Sequence, residues 1–154
     1  MKKISEHITY AEATKSQTAT RKGIDNTPDE ETLTRMRFVA EGVFEPLRKH
    51  FNVPIAITSF YRSKELNEEV GGSSTSEHVY GSAMDIDADV FGKITNKDIF
   101  DFIKNNLPFN QLIWEFGTDE NPAWVHVSLK MENNKCEIKK AYKDENGKTK
   151  YKTL

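Results

Sequence analysis

Two stretches in which apolar and polar residues alternate, separated by a short polar loop, constrain the fold of this sequence more than any other feature. They are NQLIWEFG (110–117) and AWVHVSL (123–129), and the loop TDENP joins them. Period-two alternation predicts two strands, each with one apolar face. The short connection predicts a hairpin, and its pairing must bring the apolar faces together, because a slip of one residue would invert every side chain.

The aligned hairpin predicts which side chains lie on each face of the sheet. The predicted core face consists of Leu112, Trp114, Phe116, Ala123, Val125, Val127 and Leu129. Glu115 and His126 therefore share the opposite face. A further strand at 83–88 buries its methionine and isoleucine, which leaves Asp85 and Asp87 on the same side as His126. An antiparallel sheet can keep such a polar face open to solvent.

Helix and turn signals account for most of the remaining chain. Thr27 as N-cap, Pro28 at the first helical position and Glu30 in a capping box predict the start of a helix, and Pro46 predicts an irregular turn near its end. Ser63 predicts the cap of a second helix. The other predicted elements are a strand at 54–60, a helix at 95–106 and a C-terminal hairpin that turns at Asn146-Gly147. Because strands and helices mix without strict βαβ alternation, we expect an α+β fold with a mostly antiparallel central sheet, helices packed on one face and an open cleft on the other.

Length and composition narrow the class of protein. The 154 residues predict a single domain spanning 1–154, in which residues 1–26 are a polar segment with a short helix and a loop. The net charge of −2 gives no support for a nucleic-acid or membrane partner, and we expect a monomer. One cysteine excludes an intrachain disulfide. The first residues lack the apolar stretch of a signal peptide and no run reaches transmembrane length, so we expect synthesis in the cytoplasm.

A histidine precedes the strand that carries Asp85. Gly81 lies in the intervening turn and permits backbone angles that other residues resist, so the turn could fold His78 over Asp85, beside His126. Two histidines and one carboxylate suit zinc, and three protein ligands leave a fourth position open, as in catalytic sites. From spacing alone, a histidine in a strand is more often hydrogen-bonded structure, and the nearby acids and Arg62 could be ordinary surface residues.

Three motifs carry a resemblance to a known family. The segment SEHVYGSAMD (76–85) resembles the Ser-x-His-x-x-Gly-x-Ala-x-Asp signature of the zinc D-Ala-D-Ala metallopeptidases, which are grouped with lysostaphin-type enzymes and the hedgehog signalling domain. WVHVS (124–128) is similar to the segment that carries the family's third metal ligand, and SFYRS (59–63) to its Ser-x-Tyr-Arg-Ser element. The resemblance runs from about residue 30 to about residue 130 in the same order, and the whole layout resembles that of short phage and bacterial members.

The resemblance implies roles for five residues. His78, Asp85 and His126 correspond to the ligands of one zinc ion per chain. Arg62 corresponds to a residue that pairs with a substrate carboxylate or carbonyl, a role that suits its planar bidentate donor. Ser76 corresponds to a residue that lines the substrate pocket.

One departure from the family's pattern concerns the general base. Many relatives carry the catalytic acid three residues before the third ligand, where this chain has Ala123, and others carry a histidine two residues before it, where this chain has Trp124. The base must therefore come from elsewhere. Face parity favours Glu115 as the catalytic acid/base, with Asp119 and Glu120 in the adjoining loop as alternatives.

The implied activity is hydrolysis of peptide bonds in peptidoglycan stem peptides, by a D,D-carboxypeptidase or an endopeptidase. A phage-encoded enzyme of this kind would act on the cell wall as an endolysin. A zinc-binding module without catalysis, like the hedgehog branch, is the alternative, and a metal-free structural component of a virion is a third interpretation. The C-terminal segment 135–154 carries seven lysines against three acids, which indicates either a solvated edge hairpin or attraction to anionic wall polymers.

Overall fold

The computed structural model describes residues 2–154, and their N-terminal part is more ordered than the predicted short helix and loop. Two short strands, β1 (Lys3–Ser5) and β2 (Ile8–Thr9), pair antiparallel. The helices α1 (Tyr10–Thr14) and α2 (Gln17–Lys22) follow. Ile4 and Ile8 are buried in the main core, so this apolar pair ties an otherwise polar segment to the domain.

The first long helix, α3 (Glu30–Val39), begins later than predicted. Its N-cap is Asp29, whose carboxylate accepts a hydrogen bond of 2.8 Å from the backbone N–H of Thr32. The prediction of Thr27 as N-cap with Pro28 at the first helical position was therefore wrong. Aspartate satisfies a free N–H of the first turn as well as threonine does, and it stands directly before the first helical residue.

The helix continues through a π-helical turn (Ala40–Phe44) into α4 (Glu45–Phe51). Pro46 stands two residues after the end of the π turn and has no backbone N–H to donate, which agrees with the irregular turn predicted there. Gly42 lies in the π turn, where a Cβ atom would come within 2.6 Å of the Leu129 side chain. Because Gly42 has no side chain, the π turn can pack closely against Leu129.

A six-stranded, mostly antiparallel sheet forms the centre of the α+β fold. Its strands are β3 (Ala56–Ser59), β4 (Ala83–Asp87), β5 (Gln111–Glu115), β6 (Trp124–Ser128), β7 (Glu137–Lys143) and β8 (Thr149–Thr153). Their order across the sheet is β3-β4-β6-β5-β7-β8, and the β5–β7 pair is the parallel one. The remaining helices are α5 (Lys64–Glu69), a 3₁₀ turn (Ala88–Val90) and α6 (Asn96–Asn106).

The predicted register of the β5–β6 hairpin is confirmed. Glu115 pairs with Trp124 and Ile113 with His126, so the apolar faces coincide. The buried cluster on that face joins the strands to α3, α4 and α6 through Met84, Ile86, Leu112, Trp114, Val125, Val127, Met36, Leu47 and Ile103. No helix within residues 2–154 is long and apolar enough to cross a membrane.

Phe116 departs from the predicted core face, and Ala123 is only half-buried outside the core cluster. The φ of 56° at Phe116 places this residue in the left-handed region, so the strand alternation ends at Glu115. Its ring lies 5.4 Å from that of Trp124, on the polar side of the sheet. The prediction that Phe116 faces the core was wrong, because the chain already turns at this residue towards the loop.

Candidate metal centre

His78, Asp85 and His126 meet at one point on the polar face of the sheet. The Oδ1 atom of Asp85 lies 3.0 Å from Nδ1 of His126 and 3.3 Å from Nε2 of His78. The three candidate ligand atoms lie within 4.8 Å of one another, and the two imidazole rings are 5.1 Å apart. The structure thus brings together the three residues that the sequence nominated as ligands.

Strand pairing fixes two members of this cluster. Asp85 on β4 is the direct cross-strand partner of His126 on β6, and directly opposed side chains in an antiparallel pair lie on the same face at short range. The positions therefore depend on backbone hydrogen bonds in the middle of the sheet rather than on a flexible loop.

The turn between residues 76 and 82 positions the third member. Gly81 has a φ of +77°, and a Cβ atom there would lie 2.7 Å from the Met36 side chain and 2.9 Å from that of Thr32. Glycine is therefore required both by the backbone conformation and by the close approach to α3. This turn holds His78 over Asp85, as the sequence predicted.

A backbone carbonyl orients the imidazole of His78. Its Nδ1 atom lies 2.7 Å from the carbonyl oxygen of Phe60, which can only accept, so Nδ1 carries a proton and the ring is oriented with Nε2 towards Asp85. The backbone N–H of Arg62 donates to the carbonyl of His78 at 3.2 Å. The contact between Nδ1 of His78 and the carbonyl oxygen of Phe60 is the kind of outer-shell hydrogen bond that orients metal-binding histidines.

The electrostatics of the cluster keep Asp85 ionised. Burial opposes its ionisation most strongly, but the two imidazoles of His78 and His126, by charge and by hydrogen bonding, hold the pKa of the carboxyl well below its usual range. A carboxylate that stays charged in a largely enclosed position is suited to a cation.

Glu115 lies beside this cluster on the same face, as strand parity predicted. The residue is only 8% exposed, and burial raises the pKa of its carboxyl to about 7; the positive field of His126 lowers it and the negative charge of Asp85 raises it further. The described residues offer this carboxylate no hydrogen-bond donor within 3.5 Å. Glu115 is therefore a buried acid whose proton is exchangeable near neutral pH, as a general base requires.

This raised pKa predicts a pH-dependent stability cost in the zinc-free protein. The folded state binds the proton of Glu115 more tightly than the unfolded state, so its contribution is favourable below about pH 4.5 and is lost as pH rises through about 7. Glu115→Gln should therefore raise the free energy of unfolding by up to about 3 kcal/mol at about pH 8, with the gain vanishing near about pH 4. Urea titrations of the chelator-treated proteins measure this, and a gain independent of pH would contradict the assignment.

Arg62 and Ser76 lie together at the rim of the cluster. The Nη2 atom of Arg62 donates to Oγ of Ser76 at 3.3 Å, while its buried Nε atom has no partner among the described residues. Burial lowers the pKa of the guanidinium, and the charge of Asp85 partly offsets that effect. The guanidinium thus keeps unused donors at the site.

The other candidate acids lie elsewhere. Asp87 is engaged by Asn96, whose Nδ2 donates to it at 3.0 Å. Asp119 pairs with Lys140, and its side chain is 88% exposed. Neither Asp119 nor Glu120 is among the residues that line the cleft, so the geometry favours Glu115 over both alternatives.

A cleft of about 890 Å³ contains the cluster. Arg62, Ser76, His78, Asp85, Glu115 and His126 all line it. The six predicted site residues therefore share one concave surface, which is the arrangement expected of an enzyme site.

A family comparison agrees with this geometry. Residues 6–128 match the family model described as Peptidase M15. The chain belongs to the peptidase M15 family. These are zinc metallopeptidases of the D-Ala-D-Ala carboxypeptidase type, which confirms the resemblance inferred from the motifs. A search of curated proteins found no match.

The donor set of this M15 peptidase fits zinc. Ligands at about 2.0–2.1 Å from a tetrahedral ion stand roughly 3.3 Å from one another, and the 3.0 and 3.3 Å separations around Asp85 are close to that value. The oriented tautomer of His78 and the ionised Asp85 complete the requirements for ligation.

Sequence reasoning missed one residue that supports the centre of this M15 peptidase. The carboxylate of Glu77 accepts hydrogen bonds from Oγ of Ser128 at 2.7 Å and from Nδ2 of Asn110 at 3.1 Å. It thereby ties the turn that carries His78 to β6 and to the start of β5. The alternation of side chains along the strand predicts that the Ser128 hydroxyl shares the polar face with His126, but no local sequence pattern indicates that Glu77 would reach it.

Proposed function

We propose that this M15 peptidase hydrolyses peptide bonds in the stem peptides of peptidoglycan, as a D,D-carboxypeptidase or an endopeptidase. The observation that carries the proposal is the meeting of a His-Asp-His cluster with a buried, proton-exchanging glutamate in one cleft. Family membership supports the zinc peptidase chemistry, and the substrate is our inference.

His78, Asp85 and His126 would hold the zinc ion. When bound, zinc would polarise the scissile carbonyl and lower the pKa of the attacking water. The remaining chemistry belongs to side chains of the chain itself, and three of them have positions that suit it.

Glu115 is proposed as the general base. A carboxylate oxygen of Glu115 takes a proton from the attacking water and returns it to the leaving amine. Its location on β5, directly beside the strand of His126, fixes it relative to the cluster. Its buried position strengthens the effect of every charge near it, which suits proton transfer.

Arg62 is proposed to hold the substrate. Among the described residues, its buried Nε has no partner and its Nη2 donates to the hydroxyl of Ser76, so its planar fork can take a carboxylate or carbonyl of the peptide. Ser76 shares this contact and would line the same pocket.

The variant Arg62→Lys tests whether substrate binding needs the planar fork of the guanidinium or only its positive charge. Lysine keeps the positive charge but loses the bidentate fork, so we expect kcat/KM to fall by about tenfold or more while the zinc content stays at that of the wild type. Steady-state kinetics with parallel metal analysis measure both. Unchanged kinetics would remove Arg62 from the substrate site.

The cell-wall role is part of the same proposal. A phage-encoded enzyme of this kind would be made in the cytoplasm and act as an endolysin-like hydrolase on the wall, as a monomer without nucleic-acid or membrane partners. The match to the Peptidase M15 family model supports the peptidase chemistry on which this role would depend.

Digestion of purified peptidoglycan, followed by mass analysis of the products, tests the function. We expect released D-alanine from a carboxypeptidase, or cross-bridge and stem fragments from an endopeptidase, and no release after chelation of the metal. A zinc-loaded protein that releases neither would support the hedgehog-like, non-catalytic alternative, which Ala123 in the family's usual acid position favours.

A further inference from the structure

The C-terminal β7–β8 hairpin forms a wall of the cleft, although the family match ends at residue 128. The parallel pairing of β7 with β5 extends the sheet beyond the candidate base. Side chains from one face of the hairpin consequently line the cleft: Glu137, Lys139, Lys143, Thr149 and Tyr151. The lysines of the tail are thus divided between two faces of the hairpin, and Lys139 and Lys143 lie on the side of the cleft.

One cross-strand row leads from the metal centre to this wall. Asp85 pairs with His126, His126 with Ile113, and Ile113 with Lys139. Since neighbouring strands are about 4.8 Å apart, the backbones of His126 and Lys139 are separated by roughly 10 Å. The long lysine side chain can cover much of this distance, and it is only 29% exposed.

A second row leads from the candidate base to Tyr151. Glu115 pairs with Ala141, and Ala141 with Tyr151. Ala141 faces the cleft side yet is 0% exposed, so larger neighbours cover its small side chain. Partial burial raises the pKa of Tyr151, and the negative charges of Glu115 and Asp85 raise it further. The phenol therefore keeps its proton and can donate it to an anion.

The lysines of the cleft wall are only partly neutralised by neighbouring acids. Glu77 and Asp85 are already engaged by internal partners. Lys143 donates to the hydroxyl of Thr149 at 2.7 Å, and Lys139 has only a loose contact of 3.7 Å with Glu137. Among the described residues, neither lysine has a carboxylate contact shorter than 3.7 Å, so both ammonium groups can still take an anion at closer range.

We propose that Lys139 and Tyr151 bind a carboxylate of the substrate, at the end of the cleft opposite Arg62. Arg62 follows β3, at one edge of the sheet, whereas Tyr151 lies on β8 at the other edge. A peptide that crosses the metal centre with its C-terminal end at Arg62 would then be held at both ends, and the chain would prefer an acidic side chain on the N-terminal side of the scissile bond, two residues before it. This inference rests on the proposed peptidase function.

Two matched peptides test the preference. They are acetyl-Ala-X-D-Ala-D-Ala with X as glutamate or glutamine, so that they differ only in one carboxylate. We expect the wild type to cleave the glutamate peptide with the lower KM. Lys139→Gln should raise that KM by about tenfold and leave the glutamine peptide unchanged, because a charge-assisted contact is lost for one peptide alone. Tyr151→Phe should produce a smaller change in the same direction.

Lys152→Gln is the control. It removes the same charge from the same hairpin, but Lys152 lies over the ring of Tyr142 on the opposite face. Its KM values should match those of the wild type. Equal losses in Lys139→Gln and Lys152→Gln would indicate diffuse attraction by the lysine-rich tail, and equal KM values of the wild type for both peptides would also overturn the proposal.

A binding measurement separates this inference from the proposed function. The zinc-loaded Glu115→Gln protein, titrated with each peptide, should show amide chemical-shift changes at 139 and 151 with the glutamate peptide only. If the wild type cleaves neither peptide, the D,D-carboxypeptidase form of the proposed function fails, and the titration still decides whether the wall binds a carboxylate. Absence of selective shifts in the hairpin contradicts the proposal whatever the cleavage result.

Discussion

Glu115→Gln should reduce the rate of peptide hydrolysis by about two to four orders of magnitude, the usual contribution of a positioned acid or base, while zinc content stays at the wild-type level. Glutamine preserves the size of the side chain and its position on β5 but has no oxygen that can take a proton. Within residues 2–154, the buried site beside His126 offers no second carboxylate in a similar position: Asp85 is engaged by two imidazoles, and Asp87 by Asn96.

Glu120→Gln is the matched control for this substitution. It makes the same chemical change in the adjoining loop, at an exposed residue outside the cleft, and its activity should equal that of the wild type. Initial rates and metal analysis of the three proteins decide the matter. Near-normal hydrolysis by Glu115→Gln would move the role to the loop acids, and a rate loss accompanied by zinc loss would indicate that Glu115 supports the metal instead.

The polar face of the sheet was predictable because strand periodicity leaves little choice. Once β5 and β6 pair with their apolar faces together, Glu115 and His126 must share a side, and the same rule places Asp85 beside them. Gly81 similarly indicated a turn, and its positive φ confirms it. Strand alternation and the Gly81 turn are both short-range patterns, and together they account for the positions of His78, Asp85 and His126.

Long-range pairing was not predictable in the same way. The hairpin of β7 and β8 was expected from Asn146-Gly147, but nothing local states that β7 would join β5 in parallel and bring Tyr151 into the cleft. Parallel pairs lack a connecting turn that encodes their register.

Local competition explains the two smaller errors. Asp29 and Thr27 are both good N-caps, and the choice between them depends on where α3 packs against the core. Phe116 continues the alternation in sequence, but the left-handed backbone at that residue ends the strand.

His126→Ala should abolish stoichiometric zinc binding. The variant removes one of three candidate ligands, so the loss should exceed the roughly ten- to hundredfold that follows from removing an outer-shell partner of a metal ligand. We expect one zinc ion per chain in the wild type and much less than one in the variant, measured by atomic absorption after dialysis against dilute zinc. Near-ultraviolet circular dichroism checks that the variant remains folded.

His7→Ala provides the discriminating control. His7 belongs to the other group within residues 2–154 that could hold a cation, formed with Glu6 and Glu45, in which its Nδ1 lies 2.6 Å from a carboxylate oxygen of Glu45. This group is more exposed, and its histidine is already paired with the carboxylate, so His7→Ala should keep one zinc ion per chain. Full zinc in folded His126→Ala together with loss in His7→Ala would transfer the metal to the N-terminal group. Because that group lies outside the cleft, such a result would also separate the metal from Glu115 and Arg62, and the catalytic assignment of both would fail with it.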